Sequence, residues 1–409
     1  MLWMVLAATV GCNKDAADTA AEDTAAAEVD CSTRDYSLVP SARGELQGVW
    51  EEANERLVLF GGNQGVPEEC STTATDFVDD TWVWNADCGD FARLAVSGGD
   101  APSARGRFAA AIDEERGWML VHGGRTRDGD SGDYTLYDEL WALDLAEGTW
   151  TMLAESGPGR RVSHSAVVTD GQFIVYGGNA SANGASYNAL GDTWAFDLES
   201  LSWSELDTSG DGPDRLFHGA ALSADASTMY VYAGGDEGAF FGPFFDDLWA
   251  LDLGSLTWSE VDGGGSGAPD GRLSPNLVMD ADQNRLISFA GHDDGSLGNT
   301  NQVWAYDLGA GSWSELEAGD VYQTAPVDFC EFPADFTDPD MDSPERRYQA
   351  VSASTGDGRL IVFGGKTDCG VIDDVWTYSF TDEAWTEESA ATTGEICLRA
   401  FAECSTLCF

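Results

Sequence analysis

Lysine is almost missing from this sequence: Lys14 and Lys366 are the only two, and 20 Lys and Arg stand against 72 Asp and Glu for a net charge of −52. A surface this negative repels nucleic acid and anionic lipid, so no nucleic-acid partner is expected. Histidine is scarce as well, at four residues. No apolar run is long enough to span a bilayer. The chain has no Gly-x-Ser-x-Gly elbow, no His-Glu-x-x-His pair, no phosphate loop and no dinucleotide fingerprint, so the common hydrolase and nucleotide-enzyme signatures are absent. The acidity reads as a soluble surface suited to salty surroundings, where counterions screen self-repulsion.

What is present is repetition. Asp246-Asp247-Leu248-Trp249-Ala250-Leu251-Asp252 has near-copies around Trp82, Trp141, Trp194, Trp304 and Trp376. Nine residues after each comes a second aromatic: Phe91, Trp150, Trp203, Trp258, Trp313 and Trp385. The offset is constant while the period drifts from 53 residues (Trp141 to Trp194) to 72 (Trp304 to Trp376), so a rigid hairpin recurs between loops of free length. Upstream of each copy an apolar run ends in small residues, as in Leu57-Val58-Leu59-Phe60-Gly61-Gly62. Such runs read as buried strands closed by a sharp turn. In blade 4 the glycine pair is Gly234-Gly235, and in blade 5 Gly291-His292 takes its place. Earlier still an arginine opens a further strand: Arg43, Arg105, Arg160, Arg215, Arg272 and Arg346. The unit is four strands.

Diglycine, spaced aromatic pair and their order resemble the kelch repeat, in six copies over roughly residues 41–388. The resemblance implies an all-β fold: a six-bladed propeller whose blades are four-stranded antiparallel sheets around a central channel. Eleven of the fifteen tryptophans fall at repeat positions, where wide indoles fill the wedges between blades. The propeller is expected over residues 31–389, with the amino end as a candidate extra strand on the last blade, and a cysteine-rich tail at 390–409.

Nine cysteines are many for a reducing compartment. Met1 to Cys12 is a short apolar stretch ending in small residues, and it resembles a bacterial lipoprotein signal. That implies cleavage after residue 11, lipid on Cys12, and a tether over 12–30, rich in Ala, Asp and Thr and without apolar period. The protein is thus expected in the bacterial envelope, lipid-anchored at the outer membrane or cell surface, or periplasmic or secreted. Eight cysteines remain, enough for four bridges in 105 pairings. The implied propeller topology puts Cys330 and Cys369 on one face, and they are the expected bridge.

Function is expected in loops, as a monomer binding a protein or glycan partner at the envelope. Ala239-Phe240-Phe241-Gly242-Pro243-Phe244-Phe245 is either an exposed apolar anchor, with Tyr134 beside it as a second contact, or local core over the channel mouth. Arg105, Arg160, Arg215 and Arg272 could ring the mouth and attract an anion, although recurrence in every blade also fits a structural role. His164 and His218 hold similar places in adjacent blades and could face one channel. Asp128, Asp130 and Glu139 partly match calcium-loop spacing, and Asp338, Asp340 and Asp342 alternate similarly, so calcium is the one cofactor considered. No catalytic residue is identified. The rival function is a carbohydrate-active enzyme at the channel mouth, similar to kelch mutarotases or oxidases; a third is a calcium-stabilised structural protein.

Overall fold

The computed structural model describes residues 39–392 except 66–74, 97–99, 130, 182, 184–185, 294–297, 323–336, 339 and 369. The signal segment, Cys12, the tether, most of the tail and both Cys330 and Cys369 lie outside the described residues.

Six four-stranded antiparallel sheets follow one another along the chain, each a meander in sequence order. Blade 1 consists of Gln47–Glu51, Arg56–Phe60, Thr81–Asn85 and Asp90–Arg93. The innermost strands of the other blades are Ala109–Asp113, Ser165–Thr169, Gly219–Leu222, Asn276–Asp280 and Val351–Thr355. Each innermost strand touches the next, and the sixth touches the first, which makes the array a closed six-bladed propeller. Small residues such as Ala109-Ala110-Ala111 and Gly219-Ala220-Ala221 occupy these strands, where six backbones converge on one axis. The second strands carry the buried aliphatic payload, with Leu57, Val58, Leu120 and Val121 fully enclosed.

The second aromatic of every blade packs on the residue before the small pair of the preceding blade. Trp150 meets Phe60 at 5.1 Å, Trp203 meets His122 at 5.3 Å and Trp258 meets Tyr176 at 4.7 Å. Trp313 meets Tyr232 at 4.9 Å and Trp385 meets Phe289 at 4.8 Å. Phe91 of blade 1 meets Phe363 of blade 6 at 5.4 Å and so seals the ring. No repeat tryptophan is exposed. Each tilted or edge-on pair adds about 0.5–1.5 kcal/mol beyond its buried area.

The small pair differs from the sequence expectation in two blades. In blades 4 and 5 the small pair is Ala233-Gly234 and Ala290-Gly291, one position earlier than Gly234-Gly235 and Gly291-His292. The first member sits at φ 60–70° in all six blades, a left-handed region alanine enters at modest cost; the second sits at φ 92–118°, which only glycine adopts readily. Residues 31–38, the expected extra strand, lie outside the described residues. Blade 6 takes its four strands from its own stretch of chain, and Arg43 N–H donates to Ile372 O (3.3 Å) across the seam.

Candidate functional site

The repeat arginines are the ligands expected at the mouth. Arg43, Arg105, Arg161, Arg215, Arg272 and Arg347 reach outward to the residue two before the first tryptophan: Asp80, Glu139, Asp192, Asp247, Gln302 and Asp374. Five of these guanidinium groups also donate to the carbonyl of the small pair's first member, for example Arg105 to Gly123 O at 3.0 Å and Arg347 to Gly364 O at 3.0 Å. Asp80, Asp192, Asp247 and Asp374 additionally accept the indole N–H of Trp82, Trp194, Trp249 and Trp376 at 2.7–2.9 Å. Arg105 and Arg272 therefore bridge the end of the second strand to the start of the third, Arg215 is held to the third strand by Asp247, and all three turn away from the axis. In blades 3 and 6 the repeat position is Arg161 and Arg347; Arg160 is exposed and outside the pattern. The sequence did hold a clue, since Arg161 precedes His164 by the same three residues that separate Arg215 from His218.

Two residues beyond each repeat arginine the chain turns onto the axis. Glu45, Arg107, Ser163, Phe217, Ser274 and Gln349 all have φ between 49° and 59°. Backbone N–H groups of this collar donate around the ring: Arg107 to Glu45 O (2.8 Å), Ser163 to Arg107 O (2.8 Å), Phe217 to Ser163 O (3.1 Å), Ser274 to Phe217 O (2.6 Å) and Glu45 to Gln349 O (3.2 Å). Left-handed backbone at non-glycine residues costs about 1–2 kcal/mol each, offset here by these bonds. The collar was not anticipated. Its only trace in the sequence is that, at a fixed offset in a uniform repeat, the chemistry changes from blade to blade.

That variation gathers charge. Glu45 lies 3.1 Å from Arg107 Nε, 3.5 Å from Arg125 and 2.6 Å from Lys366 Nζ, and all four side chains are buried. Burial alone would raise the Glu45 carboxyl, but Arg107, Lys366 and Arg125 outweigh it and hold the group well below the usual carboxylate range. Burial pushes the Lys366 ammonium down against the pull of Glu45. One of the chain's two lysines is thus spent at the mouth of the channel. Aromatic rings surround the cluster: Arg107 lies 5.0 Å over Phe217 and Arg125 lies 3.8 Å over Tyr134.

Beneath the collar the channel holds a cavity of about 90 Å³, lined by residues of all six blades including Glu45, Arg107, His164, His218, Asn276 and Gln349. His164 and His218 do line one channel. His122 Nδ1 lies 3.0 Å from His164 Nε2, and Ser165 Oγ 2.7 Å from His218 Nε2. Burial, then the Arg161 and Arg105 charges, lowers His122 to about 3; burial, then Arg215, lowers His218 to about 3; His164 is also held well below its ordinary value, by burial first. These imidazoles are neutral at pH 7.

The blade 4 loop splits the two expectations made for it. Phe240 folds over the mouth, 5.5 Å from Phe217, 6.2 Å from Tyr187, 5.6 Å from His292 and 6.4 Å from Tyr348. Phe244 packs against the same cluster, and Phe245 lies 3.6 Å beneath the Arg215 guanidinium. Phe241 alone of the four is exposed, at 95%. Tyr134 is buried between Arg125 and Arg127 and does not offer a surface contact. Asp130 lies outside the described residues, Asp128 is exposed, and Glu139 is bound by Arg105 at 2.7 Å, so this acid is already committed to a cation of the fold. Among the described residues no three His, Cys, Asp or Glu side chains converge to hold a metal.

A family model described as the KLHDC2/KLHL20/DRC7 Kelch-repeats domain matches residues 49–273 and 213–334. The chain is 24% identical over 303 residues to Kelch domain-containing protein 10 of Rattus norvegicus, covering 72% of this chain and 67% of that protein. It is 27% identical to the Leucine-zipper-like transcriptional regulator 1 homolog of Drosophila melanogaster, over 65% of this chain and 25% of that one. It is 30% identical to Adagio-like protein 3 of Oryza sativa subsp. japonica, over 62% and 38%. The chain spans 60–67% of the length of Kelch domain-containing protein 10 in mammals.

Proposed function

Because this chain belongs to the kelch-repeat family, a family of interaction propellers, we propose that it is a non-enzymatic binding module that takes a protein partner on its loop rim, with an acidic group of the partner received at the channel mouth. The observation that carries this reading is the cluster of Arg107, Arg125 and Lys366 around the single carboxylate of Glu45, a cationic centre in a chain of net charge −52. Against that background the mouth focuses an attractive field on an anionic group. Phe241, exposed beside it, supplies the apolar contact. The cavity under the collar, at about 90 Å³, is well below the roughly 300–1,000 Å³ of ordinary small-ligand pockets. At this mouth, that size favours rim recognition over a carbohydrate-active pocket. A glycan bearing carboxylates would satisfy the same chemistry, and its capture in place of peptide would shift the partner class.

The reading extends to location. A lipidated Cys12 and the Ala/Asp/Thr tether would hold a monomeric propeller off a bacterial envelope membrane, and a count of nine cysteines fits an oxidising compartment. Acylation is tested by mass spectrometry of membrane-extracted protein, in which Cys12→Ser abolishes the lipid adduct.

The binding claim is tested with an array of acidic, neutral and basic peptides. Preferential binding of acidic peptides, lost about tenfold or more in Arg107→Ala, is expected from removing a charged hydrogen-bonding group. Equal capture of all three peptide classes would remove the reading.

A further inference from the structure

The cavity below the collar has a chemistry of its own. Ser163 Oγ, Asn276 Nδ2 and the Nδ1 atoms of His164 and His218 belong to residues that line it, and none has a hydrogen-bond partner. His164 and Asn276 are more than nine-tenths buried. Ser165 Oγ stands at hydrogen-bond distance from His218 Nε2, and His122 Nδ1 from His164 Nε2. Where these neighbours donate to the Nε2 atoms, both Nδ1 atoms carry hydrogen. In that tautomer four neutral donors converge from blades 3, 4 and 5, alongside the acceptor oxygens of Glu45 and Gln349.

Charge selects the occupant. Arg107 and Lys366 share the one carboxylate of Glu45, which leaves one positive charge in excess without counting Arg125. Glu45 and Arg107 themselves line the cavity. A desolvated surplus charge is costly unless paired, and a cation placed here would add to the charges of Arg107 and Lys366 with only the Glu45 carboxylate to offset them. Water at about 30 Å³ per molecule would fill the volume and satisfy the donors, yet leave the excess charge uncompensated. An anion does both.

We propose that the axial cavity binds a small monovalent anion of halide size, held by Ser163, His164, His218 and Asn276 beneath the cationic mouth. The anion is separate from any partner on the rim, and the proposal stands whether or not acidic peptides bind there.

Crystals of the full chain soaked in bromide are expected to show an anomalous peak inside the cavity, in contact with His164, His218 and Asn276. Bromide found only on the surface, or nowhere, overturns the proposal. In solution, thermal melting in sodium bromide is compared with sodium gluconate at equal ionic strength, which removes the general screening expected of so acidic a chain. A saturable extra rise in bromide is expected, with its midpoint moved about tenfold or more upward in Asn276→Leu. Ser163→Ala serves as the gentler variant should the first fail to fold. Curves that superimpose in the two salts overturn the proposal.

Discussion

Arg160 and Arg161 are neighbours with opposite burdens. Arg161 is buried, bidentate to Asp192 at 2.8 and 2.9 Å, and bonded to Gly177 O, whereas Arg160 is exposed. Urea denaturation of Arg161→Ala is expected to show a loss of about 3 kcal/mol, because Asp192 and the Gly177 carbonyl are left unpaired. Arg160→Ala should stay within about 0.5 kcal/mol of wild type. The histidines carry the acid response. His122, His164 and His218 are held neutral in the fold, with His122 and His218 lowered to about 3, while in the unfolded chain they titrate near the ordinary 6.5. The unfolded state therefore binds more protons below that value, so their contribution is complete above about pH 6.5 and is lost as pH falls toward 3. His122 occupies the wedge position that is Phe60 in blade 1, so His122→Phe should fold and show a shallower loss of stability between pH 6.5 and 4. An unchanged slope in equilibrium unfolding at several pH values would count against this assignment.

At the scale of the element, the blade is a four-stranded meander that cannot bury both of its faces alone. The outer aromatic of each sheet reaches the second strand of the one before, and this contact converts six sheets into one disc. Trp258, buried against Tyr176, should cost about 3–5 kcal/mol when cut to Ala, as read by chemical denaturation. The blade 4 loop behaves in the opposite way. Phe241→Ser should leave the melting temperature unchanged and weaken partner capture, whereas Phe240→Ser should lower stability, since Phe240 packs on Phe217 and Tyr187. The strand runs, the turn residues and the aromatic offset were legible in the sequence because each is set within one hairpin, where hydrogen-bond register is local. The repeat arginine was legible only to within one position at Arg160-Arg161 and Arg346-Arg347, because adjacent arginines carry the same local signal: burial separates the first pair, and in the second both are buried and only Arg347 takes the repeat partner, Asp374.

Across the whole molecule, charge plays two roles. Many acids serve the fold: Asp144, Asp197, Asp252 and Asp307 each accept backbone N–H groups in the turn after the third strand, and others hold the repeat arginines. The excess of 72 acids over 20 bases makes the net charge of −52, which repels itself while the mouth, on the proposed reading, attracts acid. Raising sodium chloride from low to physiological concentration should therefore raise the melting temperature and lower the affinity for acidic peptide, two trends of opposite sign measured on one protein. A common sign would show that the mouth does not dominate binding. Blade count, strand order and wedge positions were determined by the sequence itself, since a fixed offset repeated six times propagates without reference to the rest of the chain. The composition of the mouth was decided only in three dimensions. Glu45 and Lys366 meet across 321 residues, and Arg107 and Arg125 join them from blade 2, because closing the ring brings the first blade against the last. No spacing along the chain records a contact that exists only once the circle is shut.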